Sequence, residues 1–371
     1  MRICVLFGFF FGGILISCAQ DKPNQVTTPD IDPVVATPYV TGIETPWGLA
    51  FLPNGDLLIT DRSGVLYRFD GSNKVEIPGV PEVYSRGQGG ILDIAVHPEF
   101  QKNSLIFMTL SSPEGGNGAH TALVRARLEN NQLVDVKTLY KATPNTTKGQ
   151  HFGSRIYLDG KGKVYFSIGE RGEQDINPQD TSKDGGKIYR LNEDGSIPKD
   201  NPLYGVPGAK QAIYSFGHRN PQGLIFHPER KELWNTEHGP RGGDELNIVR
   251  KGANYGWPVI TYGINYSGTP ITDKTEEVGM EQPIYYWVPS IAPSSLCYID
   301  SPLFPEWKGD LLVGSLSFQY LEYLDMDGDK VVGRLKLLAD IGRVRSVVQG
   351  PDGAFYIGVE TKGVFRVTPR P

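Results

Sequence analysis

The chain of 371 residues has only three cysteines, Cys4, Cys18 and Cys297. That is too few for a disulfide framework, and no Cys or His pair has the spacing of a zinc site. Basic blocks are missing as well: Lys and Arg occur as scattered singles, and the formal net charge is −5, which argues against a nucleic-acid partner. Helical 3.6-residue periodicity is hardly visible. There is no G-x-S-x-G elbow and no G-x-G-x-x-G following a strand, so an α/β-hydrolase or a nicotinamide enzyme is disfavoured. The D-x-D-x-D-G spacing of an EF-hand loop is lacking too. Glycine and proline, by contrast, are abundant (45 and 28 residues), as suits many short strands joined by turns.

The N-terminus, MRICVLFGFFFGGILISC, has Arg2 followed by an apolar run too short to span a bilayer, which takes ~20 residues. It closes on Leu15-Ile16-Ser17-Cys18, the pattern of a bacterial lipobox. We read residues 1–18 as a lipoprotein signal peptide with Cys18 as the acylated residue. Residues 19–37 read as a polar, Pro-rich tether and 38–371 as one folded domain. This implies an exported protein, facing the periplasm or the cell surface, whose membrane contact is the lipid on Cys18. Cys4 leaves with the signal peptide, so the domain keeps Cys297 and relies on core burial.

From residue 45 a phrase repeats: an apolar run, a Gly or Pro turn, a second run, a turn, a third. It opens as TPWGLAFLPNGDLLITDRSGVLYRFDG. It returns from Ile91, Ser154, Gln222, Gly309 and Val344. Runs of ~5 alternating residues between such turns are strands. Six copies at irregular spacing predict an all-β fold, a six-bladed β-propeller of four-stranded antiparallel blades. A strand near residues 39–43 is expected to close the ring. Long inserts at residues 113–120, 143–151, 170–185 and 261–283 are expected as loops on one face.

Polar chemistry concentrates in residues 212–257, which hold FGHRNPQG and EHGPRGGDELN. Arg219 offers a planar fork of donors and Asn220 an amide on the same turn. The pair suits either an oxygen gaining negative charge or a structural salt bridge. His151, in KGQHFGS before a strand, is either a base for a bound hydroxyl or a turn histidine. Hard oxygen ligands around Glu237, Asp244, Glu245 and Asn247 suggest Ca²⁺. The run DMDGDK at residues 325–330 reads as a β-turn.

Together RGQGGILDIAVHP, QHFGSRIYLDGKGKVYFSIG, FGHRNPQGLIFHP, EHGPRGGDELN, KGANYGWP, IAPSSLCY and RVRSVVQGPDG resemble the soluble, PQQ-dependent glucose/sorbosone dehydrogenases, and among them the bacterial aldose sugar dehydrogenases. The motifs run in family order from Thr45 to Pro369. The resemblance implies a six-bladed propeller carrying pyrroloquinoline quinone (PQQ) and Ca²⁺, oxidising the C1 hydroxyl of aldoses to lactones. It makes His151 the general base and Arg219 the group stabilising the reduced quinone oxygen. Gln88, Asn220, Tyr266, Trp287, Arg343 and Arg345 become cofactor contacts, and Ser317 stands where relatives often carry a cofactor-binding Lys. Gly239 and Pro240 would hold the calcium beside the quinone, Glu245 and Tyr255 a structural calcium. Gln150 replaces an Asp of the glucose enzyme, and Glu170 stands near a cofactor-contacting Gln. Electrons would leave to a separate acceptor, a quinone or a cytochrome, from a monomer or dimer. Two other readings stay open: a non-catalytic lipid-anchored propeller binding sugar or protein, and a calcium-dependent propeller lactonase.

Overall fold

Apolar runs of this length, broken by Gly and Pro, have no surface of their own to bury except a neighbouring sheet. The computed structural model, which describes residues 25–371, stacks them as six four-stranded antiparallel sheets. Blade 1 is Pro46–Phe51, Leu57–Asp61, Val65–Phe69 and Lys74–Ile77. The innermost strands of blades 2 to 6 are Ile91–Val96, Ile156–Leu158, Pro221–His227, Pro293–Tyr298 and Val344–Gln349. Each repeat seen in the sequence falls in one blade. Second strands such as Leu57–Asp61, Leu311–Ser315 and Phe355–Val359 are buried along their whole length. Blades cover both of their faces, which is why these runs are apolar or small rather than alternating. Among the described residues no helix is long and apolar enough to cross a membrane.

The sixth blade is completed by Val34–Val40, paired antiparallel with Gly363–Pro369. The closing strand thus begins at Val34, inside the stretch read as tether, rather than near residue 39. Val34 and Val40 are both buried, and that burial draws the earlier residues into the ring. Thr27 also pairs with the outer strand of blade 5: its N–H donates to Arg334 O and its carbonyl accepts from Lys336 N. The signal peptide, Cys18 and residues 19–24 of the tether lie outside the described residues.

Five of the six innermost strands carry a β-bulge near their first residues: between Pro46 and Gly48, Ile91 and Ile94, Pro221 and Gly223, Pro293 and Leu296, and Val344 and Ser346. A bulge redirects the extra residue, and here four of these residues turn carbonyls toward the axis. The third blade sends in Arg155, which collects them. Its Nε donates to Gln222 O (2.7 Å), and Nη2 to Ser294 O and Arg345 O (both 2.8 Å). Nη1 donates to Trp47 O (3.3 Å) and Asp93 Oδ1 (2.9 Å). One buried guanidinium therefore touches every other blade.

Inserts 113–120, 143–151 and 170–185 join second to third strands or one blade to the next, so connectivity puts them at one end of the propeller. Insert 261–283 leaves from the opposite end but returns, since Trp257 N bonds Gly217 O and Arg241 pairs with Ile264.

Replacing Arg155 with Met should cost about 3–5 kcal/mol, because Asp93 and four carbonyls lose their shared donor. Urea denaturation monitored by tryptophan fluorescence checks this. A loss below 1 kcal/mol would show that water replaces the guanidinium.

Candidate active site

The bulges that aim carbonyls at Arg155 aim side chains the other way. Trp47, Leu92, Gln222 and Arg345, with Phe152, line a cleft of about 220 Å³ at the axis. Arg62, Gln88, His238, Ala292, Leu316, Ser317, Arg343 and Glu360 complete its walls. Expected site residues Gln88, Ser317, Arg343 and Arg345 therefore do gather at one cleft.

His151 sits on the loop entering blade 3, with φ +56°, a conformation costly for a side chain larger than Gly. Its loop is held from several sides. Arg171 lies over the Phe152 ring (3.5 Å to the centroid) and donates to Lys148 O (2.7 Å) and Gln150 O. The backbone N–H of His151 donates to Gln88 Oε1 (2.9 Å), and Gly153 N donates to Asn220 Oδ1 (3.0 Å). Gly169 allows the approach: a Cβ there would stand 2.4 Å from His151 O and 2.5 Å from Asn220 Oδ1.

The ring of His151 contacts buried Glu170 through Nδ1. A carboxylate on Nδ1 keeps the proton there and leaves Nε2 as the basic atom. Glu170 thus faces the histidine in this chain. Burial holds the His151 pKa below its ordinary value, while the Glu170 hydrogen bond pulls it back up.

Arg219 and Asn220 enter from the turn before blade 4. Glu237, at the end of Glu232–Glu237, sets that turn: its carboxylate accepts from Arg219 N (2.7 Å) and bonds His218 Nδ1 (2.8 Å). The Arg219 Nη1 donates to Gly239 O (2.8 Å) and His238 O (3.1 Å), with the guanidinium 5.3 Å from the Trp257 ring centroid. Arg219 Nε, Asn220 Nδ2 and His238 Nε2 are buried without a protein partner. Burial first, then Arg219 and Arg345, hold the His238 pKa well below its ordinary value.

Arg343 and Arg345 are both clamped by Glu360. Oε2 accepts from Arg343 Nε (2.6 Å), while Oε1 accepts from Arg345 Nε (3.0 Å) and Nη2 (2.6 Å). Arg345 Nη1 also donates to Gln222 Oε1 (2.9 Å). Burial lowers the Arg345 pKa to about 10 despite Glu360. Burial raises the Glu360 carboxyl, and the two guanidiniums more than offset that.

Other expected residues lie elsewhere. Tyr266 is 72 % exposed beside Gly239, Pro240 and Ser317 at an outer recess. Trp287 does not wall the cleft. It is a strand residue of blade 4, 1 % exposed, with its N–H on Glu322 (3.1 Å), because the alternation of YYW turns it into the interface between blades. The Gly239 carbonyl, expected on calcium, accepts from Arg219. Asp244 secures that loop through Gly239 N, Ser290 Oγ and Ala292 N. Glu245 and Glu237 share the Asn247 amide (3.0 and 3.1 Å), and the Asn247 Oδ1 is buried without a partner. Burial, then Glu237, pushes the Glu245 carboxyl well up. The Tyr255 hydroxyl donates to Ile248 O and its ring stacks on His218. Among the described residues no three His, Cys, Asp or Glu gather as a metal cage.

The residues missed from sequence are Glu360, Gln222 and the part played by His238. A signal existed for the first. Acids recur where the second strand of a blade ends before a Gly turn: TDRSG, GERG, TEHG and VETKG.

A family model described as Glucose / Sorbosone dehydrogenase matches residues 43–366. The chain is 40% identical over 338 residues to aldose sugar dehydrogenase YliI of Escherichia coli K12, covering 88% of this chain and 91% of that protein. The crystal structure of the soluble aldose sugar dehydrogenase from Escherichia coli in the apo-form superposes with a TM-score of 0.87 at 39% identity, over 91% of this chain and 100% of that one. The PQQ-bound form of aldose sugar dehydrogenase from Streptomyces coelicolor gives 0.76 at 26% identity, over 93% and 100%.

Exchanging Glu170 for Gln should lower the His151 pKa further, because the partner that raises it is gone while burial, Arg219 and Arg171 remain. NMR titration of the His151 Cε1 proton reads this. An unchanged midpoint would mean that the carboxylate does not govern the ring.

Proposed function

The chain belongs to the glucose/sorbosone dehydrogenase family, and on that premise we propose that it oxidises the C1 hydroxyl of aldoses to lactones with PQQ seated in the axial cleft. The observation that carries this is the meeting of a carboxylate-held histidine with buried, partnerless donors on Arg219 and Asn220 and a partnerless ring nitrogen of His238. Bound there, PQQ would supply a two-electron acceptor for the C1 hydride.

The residues fit that group. Its carboxylates suit Arg343 and Arg345, whose guanidiniums are already oriented by Glu360. Its quinone oxygens suit the partnerless donors of Arg219 and Asn220, and Trp47, Leu92 and Phe152 offer apolar faces to a planar ring. Ser317 offers a hydroxyl where relatives often carry a cation. The His151 Nε2 takes the proton of the C1 hydroxyl while Nδ1 stays bonded to Glu170, which supports the imidazolium as it forms. Arg219, fixed by Glu237 and by the carbonyls of His238 and Gly239, meets growing negative charge without having to reorganise.

Calcium fits best at Glu245, where its half-buried carboxylate, the buried carboxylate of Glu237 and a partnerless amide oxygen stand together. Beside Gly239 and Pro240 it fits less well, because the Arg219 guanidinium already lies on the Gly239 carbonyl.

The test is anaerobic addition of PQQ and Ca²⁺ to purified protein, followed by absorbance and by dye reduction with glucose, xylose and maltose. No spectral change and no aldose-dependent reduction would sink the reading. In the active protein Arg219→Lys keeps a cation but loses the planar fork, and kcat should fall by about 100-fold. Unchanged turnover would remove Arg219 from this role.

A further inference from the structure

On the far side of the loops that close the cleft lies a second cavity of about 630 Å³. The partition consists of residues 288–292 and 316–318, held together by Ser317 N to Ile291 O (3.1 Å) and Leu316 N to Ala292 O (3.3 Å). Ala292, Leu316 and Ser317 face the cleft, whereas Val288, Pro289, Ile291 and Phe318 face the cavity. One layer of chain therefore separates the two.

The cavity wall is aromatic. Tyr285, Trp287 and Tyr320 line it, with the Arg334 guanidinium 5.3 Å from the Tyr285 ring centroid and the Lys336 ammonium 5.2 Å from that of Tyr320. Phe318 (45 % exposed) and Val288 (57 %) make an apolar rim. A saccharide needs free polar partners for its hydroxyls. Here the Trp287 N–H and the Tyr320 hydroxyl are both used on Glu322, and Gln25, Arg334, Lys336 and the Tyr285 hydroxyl are the other polar groups of a mostly aromatic and aliphatic wall. A flat ring with few polar atoms suits such walls better.

The position of the chain narrows the source of that ring. Thr27 pairs with the outer strand of blade 5, and Gln25 and Val26 line this same cavity. From Gln25 back to Cys18 the chain reaches at most roughly 25 Å. An acyl anchor on Cys18 would hold this edge against a bilayer, where lipid-soluble quinones dissolve.

We propose that this cavity binds the headgroup of a membrane quinone, the electron acceptor of the reaction. The inference rests on the dehydrogenase reading above. Each aldose gives up two electrons and two protons on becoming its lactone. The acceptor quinone takes up the same two electrons and two protons and leaves as its hydroquinone, so the cycle balances with no further oxidant.

The full chain, reconstituted with PQQ and Ca²⁺, would be assayed with a soluble benzoquinone bearing one isoprene unit and, separately, with a small phenazine dye. Phe318→Ala should raise KM for the benzoquinone roughly tenfold, leaving KM for the aldose and turnover with the dye within about twofold. Phe318→Tyr, which keeps the ring, should behave as the parent. A second readout needs no turnover: the benzoquinone should quench tryptophan fluorescence of the protein without PQQ, with a weaker apparent Kd in Phe318→Ala. Equal KM and equal quenching in Phe318→Ala would overturn the proposal, as would benzoquinone and dye reduction falling together. If no acceptor is reduced with any aldose, the dehydrogenase reading fails. The quenching experiment still decides whether the cavity takes a quinone ring.

Discussion

Arg155 is the constraint on which the rest depends. A propeller brings six innermost strands to one axis, and the bulged residues there would leave carbonyls in a narrow space that sheet pairing does not satisfy. One planar cation with five N–H donors solves this for four blades at once and pairs with Asp93 of a fifth. The ring of Trp47 stacks over the same guanidinium, 4.2 Å to its centroid. Lysine has three donors on a flexible stem and lacks the geometry to reach five partners. Because the bulges turn neighbouring side chains toward the opposite side, the guanidinium that gathers their carbonyls lies behind the residues that floor the cleft. Fold and site share one device.

A second rule governs the walls. Where a second strand ends, an acid repeatedly fastens the adjoining loop. Asp61 takes the N–H groups of Glu44 and Ser63, Glu170 takes the ring of His151, Glu237 takes His218 and Arg219, and Glu360 takes Arg343 and Arg345. The position is the same, yet the consequence differs with the partner. At Asp61 it stabilises a turn; at Glu170 it sets a tautomer; at Glu360 it orients two cations. This is how a repetitive scaffold acquires a site without breaking its repeat.

The repeat itself was legible in the chain, because strand length, turn residues and apolar runs are local signals. Motifs that stand out against that repeat pointed to His151, Arg219, Asn220 and the Arg343/Arg345 pair, and of the expected residues Gln88, Ser317, Arg343 and Arg345 do line one cleft. What sequence concealed was direction. Trp287 lies in an aromatic stretch that reads as readily as a cleft wall as a blade interface, and only strand register separates the two. Gln222 hides inside a strand, since a bulge has no marker except the register shift it produces. In the sequence Glu170 reads as standing near a cofactor position and Glu360 passes unremarked, because only the blades place His151 and the two arginines opposite them. The start of the closing strand at Val34 was missed for a related reason: a strand added across the ring depends on a partner more than 300 residues away.

The charge balance of the cleft follows from these placements. Arg343 and Arg345 share one carboxylate, Ser317 brings no cation, and burial with two nearby guanidiniums holds the His238 pKa well below its ordinary value. A site with unpaired cations would attract any small anion and would spend side-chain entropy when it ordered around a ligand. Here Glu360 has already fixed both guanidiniums, so an acidic planar ligand meets donors set in advance, and long-range attraction contributes less. The same arrangement favours a reaction that builds negative charge on an oxygen. Arg219, bonded through Nη1 to two carbonyls, has an Nε with no protein partner, and the His238 pKa lies well below its ordinary value. Oriented donors rather than net charge are what this cleft offers, and the acids at the strand ends are what orient them.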